Sequence, residues 1–186
     1  SFKAPTDEEM EHDYLWRAHR HVPGRGYIGA FNRSYYEDVL ITRVHGTIKD
    51  KKAKQRFAQI NDFENMLMEN GIVVVKIFLH ISKRFQLDKL IARIENPNKN
   101  WKFDPSDLAE RKHWDKYQAC YEDVLTECAS SDLPWHVVPA DDRAMRDLAV
   151  LRIAVDTLEK LDLEFPPPVP ELQNLLPELY EEREQE

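Results

Sequence analysis

Two stretches of this chain gather the residue types that phosphoryl transfer needs. The first is Asn32-Arg33-Ser34-Tyr35-Tyr36-Glu37-Asp38, which offers a guanidinium, a hydroxyl and two carboxylates within seven residues. Cations there can neutralise developing charge, and carboxylates can hold a divalent ion. The bland alternative is a helix start dressed with surface charge. Two aromatics and an arginine after the apolar run Tyr27–Phe31 weigh against it. The second stretch begins at His80-Ile81-Ser82-Lys83-Arg84. From Lys76 to Lys102 it holds seven basic residues against two acidic ones. Lys89 and Arg93, four apart, share one helix face, and Lys99-Asn100-Trp101-Lys102 sets two ammonium groups around an aromatic. A solvated lysine-rich helix would look similar. A lid that closes cations over phosphates is the sharper reading, and a phosphate chain could be gripped there by charge alone.

The elements that position these residues alternate between helix and strand. Thr6 to Glu9 form a capping box that starts a helix predicted to reach His21, with Leu15 and Trp16 inside. Tyr27–Phe31 reads as a short strand, and a helix follows over roughly 35–45. A third helix over 51–69 carries Phe57, Ile60, Phe63 and Leu67 on one face, and Asn70-Gly71 ends it in a left-handed cap. Ile72–Leu79 is nearly all apolar and β-branched, the pattern of a central parallel strand covered on both faces. Ser82 caps a helix over 83–95. Asp104-Pro105 starts another, and a long helix over 108–128 breaks near His113. Trp135–Val138 is a strand, and Asp141 caps a last helix to about Leu161. Strands alternating with helices predict an α/β fold with a parallel sheet flanked by helices, although three strands are few for such a sheet.

Composition excludes several classes. The formal net charge is -8, which argues against a nucleic-acid partner. No apolar run approaches the ~20 residues needed to cross a bilayer. Cys120 and Cys128 predict two reduced thiols and a cytoplasmic setting. The seven histidines show no metal-ligand grouping, so no zinc site is expected. After Asp156 the chain turns acidic and Pro-rich, and residues 166–186 read as a tail lying on the surface or on a partner chain.

The stretch Gly29-Ala-Phe-Asn-Arg-Ser-Tyr-Tyr-Glu-Asp-Val-Leu40, with Arg43-Val44-His45, resembles the second nucleotide-binding motif of the polyphosphate kinase 2 family. It is most similar to the subgroup acting on nucleoside mono- and diphosphates. Ser1–Thr6, His12–Arg17, Ile60–Glu64, Lys76–Ser82, Asn98–Phe103 and Pro134–Pro139 match in order over roughly residues 1–160. The resemblance implies a P-loop-kinase-like three-layer fold over residues 1–165, with a helical lid at about 82–112. It also implies Mg2+ as cofactor and transfer between inorganic polyphosphate and AMP or ADP, and the carboxyl-terminal helices suggest a homo-oligomer (dimer or tetramer). By position, it implies catalytic roles for Asn32, Arg33, Glu37 and Asp38. Lys3, Thr6, Arg33 and Glu37 would bind nucleotide, and Lys83, Arg84, Arg93, Lys99 and Lys102 would line the lid and the polyphosphate track. Asn32 stands where many relatives carry a Walker-B-type Asp, so Asn32 and Glu37 are candidates only for outer positions around the metal. Relatives place a strand and a Gly-rich P-loop before the segment matching Ser1. No GxxxxGK occurs here and the chain lacks an initiating Met, so it reads as a piece of a longer protein, inactive by itself. The competing readings are an ATP-dependent nucleoside or nucleotide monophosphate kinase and a non-catalytic polyphosphate-binding module.

Overall fold

The structure, a computed structural model, describes residues 1–185. These fall into two compact units, Ser1–Arg146 and a second that begins at Asp147.

The first unit is built on a small parallel sheet. Strand β1 (Lys76–His80) pairs with β2 (Trp135–Pro139) in the register Lys76↔Trp135 to His80↔Pro139. Seven helices precede or connect these strands: α1 (Asp7–Glu11), α2 (Trp16–His19), α3 (Glu37–Val44), α4 (Asp50–Glu69), α5 (Lys83–Glu95), α6 (Ser106–Arg111) and α7 (Trp114–Glu127). A 3-10 turn, Asn100–Lys102, lies between α5 and α6. The core sits where α3, α4 and α7 meet one face of the sheet. Val39, Ile60 and Val124 are at most 1% exposed, and burying such side chains stabilises by about 1.5–3 kcal/mol each. Ile72 and Val74 pack on this core.

Helix α4 ends as its sequence predicts. Gly71 has φ +81°, its N–H donates to Met68 O at 2.9 Å, and the Ile72 N–H donates to Leu67 O at 3.0 Å. This pair of bonds satisfies the last carbonyls of the helix and needs a left-handed residue between them. Ser82 caps α5, its hydroxyl accepting from Phe85 N at 3.0 Å. The expected break at His113 separates α6 from α7.

Several expectations are corrected. The single helix over 7–21 is two, α1 and α2, because the Asp13 carboxylate accepts from the N–H groups of Leu15 and Trp16 and restarts the chain. Arg17 and Ala18 are its buried residues, while Leu15, expected on the inner side, packs half-buried against the core and Trp16 is half-buried. Tyr27–Phe31 forms no strand: it has strand composition but pairs with no strand of the described residues, and Tyr27 and Ile28 stay about four-fifths exposed. Among the described residues the sheet therefore has two strands instead of three. The run Ile72–Leu79 is not covered on both faces throughout: Val73, Val75 and Leu79 are between 39% and 52% exposed. Asp141 does not cap the following helix. Its carboxylate accepts from Ser82 N at 2.8 Å, tying the end of β2 to the start of α5, and Asp142 caps the helix through Met145 N.

Helix α8 (Arg143–Glu159) begins in the first unit and continues through the second. The second unit also holds a 3-10 turn at Pro170–Leu175 and helix α9 (Leu176–Gln185) within the expected tail. Residues of this tail are exposed throughout the described chain. Among the described residues no helix is long and apolar enough to cross a membrane.

Candidate active site

The Asn32–Asp38 segment forms a tight turn into α3. Arg33 adopts φ +61°, a left-handed conformation that costs a residue with a Cβ roughly 1–2 kcal/mol. Its guanidinium is exposed and lies 4.0 Å from the Glu37 carboxylate. Glu37 and Asp38 occupy the first turn of α3, where the helix dipole favours anions. Burial pushes both carboxyls above their ordinary range. Arg33, then Arg17, opposes this at Glu37, and Arg17 and Arg56 oppose it at Asp38.

The amino-terminal segment lies against this turn. Phe2 N donates to Asn32 O at 3.1 Å, and the Phe2 ring meets Phe31 edge-on at 5.1 Å. Arg17, 6% exposed, joins the two segments: Nη1 donates to Lys3 O at 3.0 Å and Nη2 lies 3.6 Å from Asp38. Lys3, Asn32, Arg33, Glu37 and Asp38 thus lie on two segments that these bonds hold together. Thr6 is committed otherwise. Its hydroxyl accepts from Glu9 N at 3.2 Å while its N–H donates to the Glu9 carboxylate, the capping box read from sequence.

Among the described residues, the two arginines expected in the lid pair with carboxylates of α5 and α6 rather than with the turn. Arg84 is held by Asp88 at 3.1 Å and Arg93 by Asp107 at 3.5 Å, which fastens α5 to α6. Lys83, Lys99 and Lys102 are exposed, and the Lys102 ammonium sits 4.9 Å over the Trp101 ring. Arg111 donates to Lys83 O and to Gln86, pinning the start of α5 to α6. Among the described residues the ion pairs of the turn and those of the lid do not reach each other. They are linked indirectly: Glu110 of α6 takes Nε2 of His45, which follows α3, at 2.9 Å and the Tyr117 hydroxyl of α7 at 2.7 Å. Tyr121, one turn further on, is pushed up to about 12 by burial and by the Glu37 carboxylate. It also lines an open groove of about 330 Å³ with Phe78, His80, Leu125 and Val137. The groove reaches His80, the carboxyl end of β1, where open α/β sheets place their ligands.

Lys76 does not belong to the basic track. It is 5% exposed, and its Nζ lies 2.8 Å from Glu64. Among the described residues no three His, Cys, Asp or Glu side chains converge as a metal cage.

The sequence profile of the polyphosphate kinase 2 family matches residues 1–166. This chain belongs to the polyphosphate kinase 2 family. It is 44% identical to the ADP-polyphosphate phosphotransferase of Rhodopseudomonas palustris, over 91% of this chain and 63% of that protein. It is likewise 44% identical to the AMP/ADP-polyphosphate phosphotransferase of Meiothermus ruber, over 90% of this chain and 63% of that protein. The crystal structure of polyphosphate kinase 2 from Arthrobacter aurescens TC1 superposes with a TM-score of 0.92 at 45% identity, covering 95% of this chain and 64% of that one. The α/β kinase-like fold expected from the sequence is therefore that of this chain, which spans about 63% of the length of the curated relatives it matches. Sequence reading missed Arg17, Glu64 and Lys76 as residues that organise this candidate site. Of these, only Lys76 carries a local signal, a charge inside the apolar run Ile72–Leu79 that points to burial and pairing.

Proposed function

We propose that the protein transfers phosphoryl groups between inorganic polyphosphate and nucleotides, converting AMP to ADP or ADP to ATP and running in both directions. The carrying observation is the family match over residues 1–166, which includes the turn that gathers Lys3, Asn32, Arg33 and Glu37. In this reading a phosphate oxygen of the acceptor nucleotide attacks the terminal phosphorus of the polymer in line. The bond to the bridging oxygen breaks, the polymer shortens by one unit, and no covalent enzyme intermediate forms. Positioning and charge neutralisation supply most of the rate.

Arg33 contacts the phosphates, and Glu37 contributes charge beside the accepting phosphate. Lys3 and the amino-terminal segment border the nucleotide, and Asp38 holds Arg17 and Arg56 in place. Lys83, Arg84, Arg93, Lys99 and Lys102 bind the polymer when α5 and α6 close over it. For Arg84 and Arg93 this means exchanging Asp88 and Asp107 for phosphate. Mg2+ is the metal proposed. Most of its ligands would be phosphate oxygens and water, with Asn32 or Glu37 at outer positions, since the described residues assemble no metal cage of their own. A homo-oligomer is also part of the proposal, and Leu148, Leu151, Val155 and Leu158 support it. They are 38–63% exposed on α8 at spacings of three and four. A cytoplasmic setting suits the nucleotide substrates and the two unpaired cysteines.

The test is a transfer assay on the purified full-length protein, with AMP and ADP as acceptors and polyphosphate or ATP as donor. Polyphosphate should be the preferred donor. Transfer from ATP to AMP with none from polyphosphate would replace this reading by that of a nucleotide monophosphate kinase.

A further inference from the structure

One buried carboxylate fastens the site turn from beneath. Glu64, on α4, is 0% exposed. Its Oε1 accepts hydrogen bonds from two adjacent tyrosines, Tyr35 Oη at 2.7 Å and Tyr36 Oη at 2.8 Å. Its Oε2 accepts from Lys76 Nζ at 2.8 Å, and Lys76 donates as well to the carbonyl of Cys128 at 2.6 Å. The partners come from three other elements: the entry to α3, the first residue of β1 and the end of α7.

A buried ion pair is a poor device for stability alone, because apolar residues of the same volume commonly pack as well. What this one specifies is geometry. Two consecutive side chains converging on one oxygen fix the chain direction between Arg33 and Glu37. Burial, and then the neighbouring Glu64 carboxylate, raise both phenols well above their ordinary range, so both remain donors. The other oxygen holds Lys76, the first residue of β1, and β1 ends at His80, two residues before the Ser82 cap of α5 at the root of the lid.

We propose that Glu64 is a positioning residue for the transfer reaction: through Tyr35 and Tyr36 it aims the Arg33–Glu37 turn, and through Lys76 it sets that turn in register with the strand that carries the lid. This rests on the reading given under Proposed function.

The test variant is Tyr35→Phe/Tyr36→Phe in the full-length protein. It keeps both rings and the Glu64–Lys76 pair and deletes only the two donors. Hydrogen–deuterium exchange is read first. Amides of residues 32–38 should exchange about tenfold faster or more, while those of α5 keep their rates. Steady-state kinetics with polyphosphate is read second. The turnover number kcat should fall about 10- to 100-fold with KM for both substrates within about threefold, the signature of mis-aimed rather than unbound groups. Tyr36→Phe alone should give a smaller change of the same kind, and it serves if the double variant does not fold. Unchanged exchange in the turn overturns the proposal, as does an unchanged kcat accompanied only by a lower melting temperature. If the unsubstituted protein transfers nothing from polyphosphate, the functional reading falls, and the exchange data still decide whether Glu64 aims the turn.

Discussion

At the scale of single residues, the site is a set of charges whose burial sets their behaviour. Glu37 shows this most clearly. Its carboxyl is raised in the folded protein by burial, only partly offset by Arg33. A carboxyl raised on folding binds its proton more tightly in the native than in the unfolded state. Its contribution to stability is therefore present below the unfolded pKa and lost as pH rises through the folded one. At neutral pH the ionised side chain is a net cost, retained for the charge it places in the turn. Glu37→Gln should consequently melt at a higher temperature than the unsubstituted protein at pH 7, with the gain vanishing toward pH 4, and it should transfer phosphoryl groups more slowly. Paired melting curves and rates at the two pH values check this. The carboxylates and cations of the turn were legible in the sequence because their types are unusual after an apolar run. Their supports were not. Arg17 and Glu64 matter through partners 14 to 29 residues away, Lys3, Tyr35 and Tyr36, and spacing along the chain does not encode such distances.

At the scale of elements, local signals were read well wherever the chemistry is local. The Thr6 capping box, the Ser82 cap and the Gly71 helix stop each depend on residues within five positions. The strand at Tyr27–Phe31 failed because a strand is a property of a pair, and composition cannot supply the second member. Helix α1 ended early because Asp13 offered its carboxylate to the backbone, a competition that propensity ignores. The Gly71 stop supports a sharp test. A Cβ built there meets nothing within 4 Å, so substitution carries no steric clash with neighbours, and only the φ of +81° opposes it. Gly71→Ala should lower stability by about 1 kcal/mol, read as a shift in the urea midpoint with an unchanged slope. A far larger loss would mean that the α4–β1 junction bears more than its backbone conformation.

At the scale of the whole molecule, opposite charges are segregated along the chain: cations concentrate between Lys83 and Lys102, and acids in the last thirty residues. If the basic segment grips a polymer of phosphates, Lys99→Ala/Lys102→Ala should raise KM for polyphosphate about five- to tenfold at low salt and leave KM for the nucleotide unchanged. The penalty should shrink as added salt shortens the Debye length from about 8 Å to about 3 Å. Kinetics at two ionic strengths would measure both effects, and a penalty independent of salt would point to lost packing around Trp101 instead. The sulfur chemistry has a practical consequence. Both native thiols, Cys120 and Cys128, are buried, and burial pushes each above its ordinary range, Cys128 to about 12. Thiolate is the reactive form, so maleimide dyes should spare them in the native protein. A single cysteine introduced at exposed Glu95, near the end of α5, could then carry a fluorophore without first stripping the chain of its own sulfurs, and lid movement could be followed optically in the otherwise natural sequence.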